Sequence, residues 1–335
     1  MMRMIWFCVL VVVISGEVTG AEPPEFVMPD AFRKSIQDDL AMKTLGGRQF
    51  WGDVEFFQGW HIQQNVFTKH YRLLDVEDNR QAAGSLKACQ DTMAAIRKRD
   101  KLPAMTGKAV ILVHGILRSS KCMSTLATAA QDDGFLPLRF NYPSTQVSIP
   151  DAAEYLHKSI ESLEGIEEID IVAHSMGGLV TRAYFAEHCD PRIKRVVMIG
   201  TPNHGAELAD LLYRSTLVRV ASGPGGRQLV TNPDGLVRSL PAPKCEFAVI
   251  AGARGHSAGW NPFIPGDDDG TVTVESTRLA GAADFSTVAA THAALLGNSE
   301  VIEQTLRFLS EGRLRTDRAP EPISGPVAVS PPQVP

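Results

Sequence analysis

The residues best placed to do chemistry are one serine, a run of three aspartates and one histidine. The apolar run Ile169-Asp170-Ile171-Val172-Ala173 leads into His174-Ser175-Met176-Gly177-Gly178, with a helical pattern at once behind it. A strand entering a small-x-Ser-x-Gly turn and leaving as a helix is a nucleophile elbow. The tight turn holds the serine in a strained backbone conformation, so that its hydroxyl stands clear of the sheet. Only small residues fit two positions to either side, because strand and helix nearly touch there. Ala173 stands where glycine is usual and is still small. A serine hydroxyl is a weak nucleophile and needs a base that a third group orients.

The elbow goes with the chain order serine, acid, histidine. Downstream of Ser175, Gly266-Asp267-Asp268-Asp269-Gly270-Thr271-Val272 offers three carboxylates. Asp269, directly before Gly270, is the first choice for the acid, with Asp267 and Asp268 as alternatives. A calcium loop competes for the same residues, but the alternate-residue ligand spacing is missing. His292 follows this loop and precedes a predicted helix over 299–309. His256 is the rival base, yet it precedes the acidic loop and breaks the order. An oxyanion also needs donors already in place, ideally backbone N–H groups. Val113-His114-Gly115-Ile116-Leu117 leaves an apolar run in the required position, so the N–H groups of Ile116 and Met176 are the expected pair. His114 is expected to hold this loop in shape and take no part in proton transfer.

The elements that must position these residues follow from the hydrophobic pattern. Ala109–Val113 is continuously apolar without alternation, as in a strand buried on both faces. Similar runs recur at 135–140, 169–173, 195–200 and 246–251, and helical patterns at 121–132, 151–163 and 176–188 separate the first four. Alternating strands and helices predict a parallel sheet. Upstream, Phe50–Phe57, Trp60–Gln64 and Tyr71–Leu74 read as antiparallel strands around a Gly59 turn, followed by a helix over 85–99. These strands are expected to extend the same sheet and make it mixed. Between Gly205 and Pro243 the alternation is interrupted by a helical stretch, Glu207–Val220, and a glycine-rich run. That insertion reads equally as a lid or as a plain crossover helix with a long loop.

Five segments together, His114-Gly115-Ile116, Ala173 to Gly178, Gly200-Thr201-Pro202-Asn203-His204-Gly205, Asp269-Gly270-Thr271-Val272 and His292, resemble the bacterial lipase and esterase branch of the α/β-hydrolase superfamily. The resemblance runs in order from about residue 107 to 311. It implies an α/β-hydrolase fold, a mostly parallel sheet with helices on both faces. It implies attack of Ser175 on an ester carbonyl, with His292 taking the serine proton and later passing it to the leaving alcohol. Asp269 would hold the imidazole tautomer and stabilise its cation, and water would release the acyl-enzyme. In that family the Gly-Thr-Pro segment borders the pocket, which makes His204 a wall residue. No cofactor or metal is implied. The expected partner is a small acyl ester, a lipid ester among the candidates on the strength of Leu208, Leu211, Leu212, Leu217, Val218 and Val220 in the insertion. An acyltransferase or amidase would use the same triad, and a silent binding protein could keep the same fold.

The ends and the composition set the remaining bounds. Arg3 precedes an eleven-residue apolar run, Met4–Ile14, and small residues permit cleavage after Ala21 or after Gly20. That run fits an export leader over residues 1–21 and falls short of the ~20 residues of a bilayer span. An uncleaved anchor is the competing reading. The division expected is therefore a leader, an N-terminal extension over 22–106 joined to the same sheet, a core over 107–311 with the insertion at 206–243, and a disordered proline-rich tail over 312–335. The exported protein is expected in a periplasm or outside the cell. Cys89, Cys122, Cys189 and Cys245 would allow two disulfides or remain buried thiols. A net charge of −5 over 335 residues gives no basic footprint for nucleic acid.

Overall fold

The computed structural model describes residues 47–213 and 220–325, so the leader expected over 1–21 lies outside the described residues. Two sheets carry the chain. The first is antiparallel, in the order β1 (Trp51–Phe57), β2 (Trp60–Asn65), β3 (Tyr71–Leu74) and β4 (Arg80–Gly84). The second has six strands: β5 (Lys108–Val113), β6 (Leu136–Phe140), β7 (Glu168–His174), β8 (Ile193–Ile199), β9 (Glu246–Ala253) and β10 (Asp284–Ala289). Their order is β10-β9-β8-β7-β5-β6, and every pairing is parallel.

The unbroken apolar runs are explained by what covers the two faces. Along β5, Ala109, Ile111 and Val113 join one core, while Val110 and Leu112 join the other. The first core includes α1 (Leu86–Arg99), α3 (Ile149–Glu161) and α4 (Met176–Glu187). The second includes α2 (Ser124–Asp132) and α9 (Ser299–Glu311). With helices on both faces, alternation has no solvent side to report. Local signals set the helix ends. Ser148 and Asp151 form a reciprocal capping box before α3, and Asn298 caps α9, which Gly312 ends at φ 76°. Strand order, elbow and two helical layers make this an α/β-hydrolase fold.

Two expectations are corrected, and two strands, β4 and β10, add to those expected. The N-terminal strands do not join the parallel sheet: they form their own four-stranded sheet, including β4, whose polar Arg-Gln-Ala-Ala-Gly carries no strand signal. They dock through the segment after β6 instead, with Asp53 N–H donating to the Asn141 carbonyl at 2.8 Å. β10 was not foreseen either, and it forms the far edge of the parallel sheet. The tail is ordered as far as 325. Ile323 is buried and exchanges backbone hydrogen bonds with Gly281 and Ala282, and the buried Asp284 carboxylate accepts from the N–H groups of Leu314 and Glu321. Residues 326–335 lie outside the described residues.

Of the helix expected over Glu207–Val220, the structure describes α5 (Glu207–Leu212), while 214–219, with Leu217 and Val218, lie outside the described residues. The insertion continues as two short helices, α6 (Gly223–Arg227) and α7 (Leu236–Ser239), and a further short helix, α8 (Val274–Thr277), follows β9. α6 is seated on the loop after β6. A Cβ at Gly225 would stand 3.0 Å from the Val147 carbonyl, 3.1 Å from the Ser144 carbonyl and 3.5 Å from the Met176 methyl. Arg182 of α4 closes the exit of the insertion by donating to the carbonyls of Asn203, Leu240 and Pro241.

Candidate active site

Ser175 stands between β7 and α4 at φ 54°, ψ −128°, a conformation that L-residues seldom adopt. Close packing surrounds it. A Cβ on Gly177 would lie 2.5 Å from the Val113 carbonyl, and one on Gly178 would drive into the buried side chain of Thr201. On the β5 side, a Cβ on Gly115 would come within 2.9 Å of the Ser175 Cβ. The requirement for small residues around the serine therefore comes from the β5 main chain at Gly177 and from the side chains of Thr201 at Gly178 and Ser175 at Gly115.

Three of the expected residues meet here. The Ser175 hydroxyl is 2.9 Å from His292 Nε2, and His292 Nδ1 is 2.6 Å from Asp269 Oδ2. With Nδ1 donating to the carboxylate, Nε2 is left to accept the serine proton. Asp269 is almost fully buried, and its other oxygen accepts from the N–H groups of Thr271 at 2.9 Å and Val272 at 2.8 Å. Its own carbonyl accepts from His292 N–H at 2.8 Å, so acid and base are joined through main chain as well as side chain.

The neighbouring aspartates have other duties. Asp267 accepts from the N–H groups of Arg254 and Gly255, which holds the turn after β9. Asp268 accepts from those of Asn261 and Gly270, which fixes the turn at Asn261. Three adjacent carboxylates thus point at three different targets, and among the described residues no group of His, Cys, Asp or Glu is arranged to hold a metal. His256 sits in an exposed turn, its Nδ1 accepting from Ala258 N–H. His204 has neither ring nitrogen in a hydrogen bond among the described residues, and burial pulls it down to about 4, which keeps it neutral. The four cysteines among the described residues, Cys89, Cys122, Cys189 and Cys245, are free.

Two histidines frame the serine without touching it. His114 is fully buried, and burial pulls it down to about 4. Its Nδ1 is 2.8 Å from the Gly115 carbonyl, its ring stacks on Tyr142, and Tyr142 donates its hydroxyl to the His114 carbonyl at 2.8 Å. The ring therefore fixes the loop that carries Ile116. His174, which the sequence reading left without a role, is buried beside the serine. Burial, reinforced by the nearby His292, pulls it well below the usual range. As a neutral ring it donates from Nε2 to the His292 carbonyl at 3.1 Å. His292 is thereby held at both its N–H and its C=O. The signal for this role was adjacency alone: the residue before a nucleophile faces whatever loop delivers the base.

Of the expected oxyanion donors, Ile116 follows Gly115 in the loop after β5, and Met176 follows Ser175. Ile116 is partly buried against the core, and Met176 is the first residue of α4.

A family model described as "Domain of unknown function (DUF7379)" matches residues 80–241, a span that includes Ser175 and stops before Asp269 and His292. No curated protein matches the sequence. Among solved structures, the Bacillus licheniformis lipase BlEst2 in its mature form is similar at 22% identity, covering 60% of this chain and 89% of that one, with a TM-score of 0.44. The lin2722 gene product of Listeria innocua is similar at 19% identity, covering 61% and 94%, with a TM-score of 0.43. Esterase RhEst1 from a Rhodococcus species is similar at 16% identity, covering 61% and 91%, with a TM-score of 0.42. The fold assignment stands on this chain's own strand order and elbow.

Proposed function

We propose that this chain is a serine-dependent carboxylic-ester hydrolase that works through an acyl-enzyme on Ser175. The observation that carries the reading is the continuous line of hydrogen bonds from the Ser175 hydroxyl through His292 to Asp269, on a serine held at positive φ. In the first half-reaction Ser175 Oγ attacks the ester carbonyl carbon while its proton passes to His292 Nε2. The carbonyl oxygen gains negative charge facing the N–H groups of Ile116 and Met176. As the tetrahedral species collapses, the bond to the alkoxide breaks and the imidazolium returns its proton to the leaving alcohol. Water repeats the sequence on the acyl-enzyme and frees the acid. Asp269 accepts from His292 Nδ1 and keeps the ring in the productive tautomer.

The acyl group proposed is apolar, a lipid ester among the candidates, and the leader over residues 1–21 is proposed to export the enzyme. A fluorophosphonate should label the purified protein one to one, and Ser175→Ala should abolish labelling and turnover together. Labelling that persists in the alanine variant would remove Ser175 as nucleophile. A series of nitrophenyl esters with lengthening acyl chains reads the substrate class, and a sharp preference for acetyl would overturn the lipid assignment.

A further inference from the structure

The N-terminal extension reaches the catalytic face at one residue that the mechanism above does not use. Gln49 lies in the 3-10 turn Gly47–Phe50 that leads into β1. Its Nε2 donates to the carbonyl of Arg118 at 2.7 Å. Its Oε1 accepts from the hydroxyls of Ser144 at 3.0 Å and Thr145 at 3.1 Å, and from the Thr145 N–H at 3.3 Å. Ser144, completely buried, in turn accepts the Leu117 N–H at 3.1 Å. One amide therefore joins the loop after β5 to the loop after β6, using all its polar atoms.

What it holds is the segment adjoining Ile116. Leu117 sits at φ 59° with its side chain mostly in solvent, so no burial of its own rewards that conformation. Left-handed backbone at a leucine is strained and persists only where the surroundings over-determine it. Here the surroundings are two hydrogen bonds, Leu117 N–H to Ser144 and Arg118 C=O to Gln49. Relaxation at Leu117 would rotate the peptide next to the Ile116 N–H, and a donor that is rotated no longer meets the developing oxyanion. The α6 glycines pack on the backbone of Ser144 and Thr145, which leaves that loop no freedom to follow.

We propose that Gln49 is a positioning residue for the oxyanion loop, so that the N-terminal extension is part of the catalytic apparatus. The inference rests on the ester-hydrolase reading of the site. The probes are a nitrophenyl ester, the matching thiono ester and a boronic acid bearing the same acyl group, applied to the full chain and to Gln49→Leu, Gln49→Glu and Ser144→Ala. Gln49→Glu keeps the acceptor for Ser144 and Thr145 but turns a carboxylate oxygen on the Arg118 carbonyl, and so should lose as much as Gln49→Leu. Each variant should lose about tenfold to a hundredfold in kcat with KM unchanged, less than the roughly hundredfold to thousandfold lost when an oxyanion donor is removed outright. Boronate affinity should fall in proportion, and the preference for the oxygen ester over the thiono ester should shrink. A merely structural role would leave that preference alone.

Variants within twofold of the parent in kcat, or variants whose loss follows the thermal midpoint with the thiono preference intact, would overturn the proposal. Failure of the underlying reading is a separate result, because the unmodified chain itself would then show no turnover dependent on Ser175.

Discussion

Among the described residues two histidines meet an aspartate through Nδ1, and only one of them can be a base. His292 and Asp269 meet at 2.6 Å through Nδ1, and His61 and Asp53 meet at 2.9 Å through the same nitrogen. The difference lies on the far side of the ring. His292 Nε2 faces the neutral Ser175 hydroxyl. His61 Nε2 faces a second carboxylate, Asp78, at 3.4 Å. Burial pulls His61 down, but Asp53 and Asp78 together overcome it and push the ring up to about 9. A ring held as imidazolium cannot accept a proton near neutrality. What makes a histidine–aspartate pair catalytic is therefore the third partner, and the second pair serves as a joint. Asp53 also accepts from Gln63 at 2.7 Å and from the Asn141 N–H at 2.6 Å, which ties the antiparallel sheet to the loop beyond β6.

The sharpest way to break the comparison is to remove the carboxylate from each pair in turn. Asp269→Asn should lower kcat by about 10⁴-fold with the fold intact, because an amide imposes the wrong tautomer on the base. Asp268→Asn should lose far less, since that side chain orients a turn and never meets His292. Equal losses in a steady-state assay would return the acid assignment to the neighbouring positions. Asp53→Asn should behave in the opposite sense. It strands the buried His61 cation and sets an amide nitrogen against donors, for about 3 kcal/mol of stability by the usual cost of breaking a buried pair. The thermal midpoint should fall while kcat per folded molecule stays close to the parent. A loss of kcat without a loss of stability would mean that the second pair contributes to chemistry.

The same contrast explains what could be read from the chain. The elbow was legible because its demands are local: an apolar run, two small residues and a helix within ten positions. Asp269 was legible through the Asp-Gly step, and His292 through its place before a capped helix. By contrast, Gln49 and the Asp53–His61 joint act across long separations, Gln49 to Ser144 and Asp53 to Asn141, and polar strand residues carry no sign of what they will face. β4 and the docked segment up to Ile323 escaped for a related reason. Their order comes from partners elsewhere, Arg72 and Leu73 of β3 for the one and Asp284 for the other, and their own composition is that of loops.

The smallest expected effect tests the joint by pH alone. Because the folded pKa of His61, about 9, lies above its usual 6.5, folding favours the protonated ring. The stability it lends is fully present below about 6.5 and is lost as pH rises through about 9. The groups that face the ring are Asp53 at 2.9 Å and Asp78 at 3.4 Å, with Lys121 3.6 Å from Asp78 and Arg72 on Gln63 at 2.6 Å. The urea midpoint of the parent should therefore fall between pH 7 and pH 10, and that of His61→Gln should fall less, having no proton to lose there. Parallel slopes for the two would show that His61 does not titrate in this window. Activity offers a separate reading on the same samples, since it depends on the His292–Ser175 contact and not on the joint at His61. A parent that loses stability toward pH 10 while its folded fraction keeps turning over ester would show one pair failing as a joint under conditions in which the other still serves as a base.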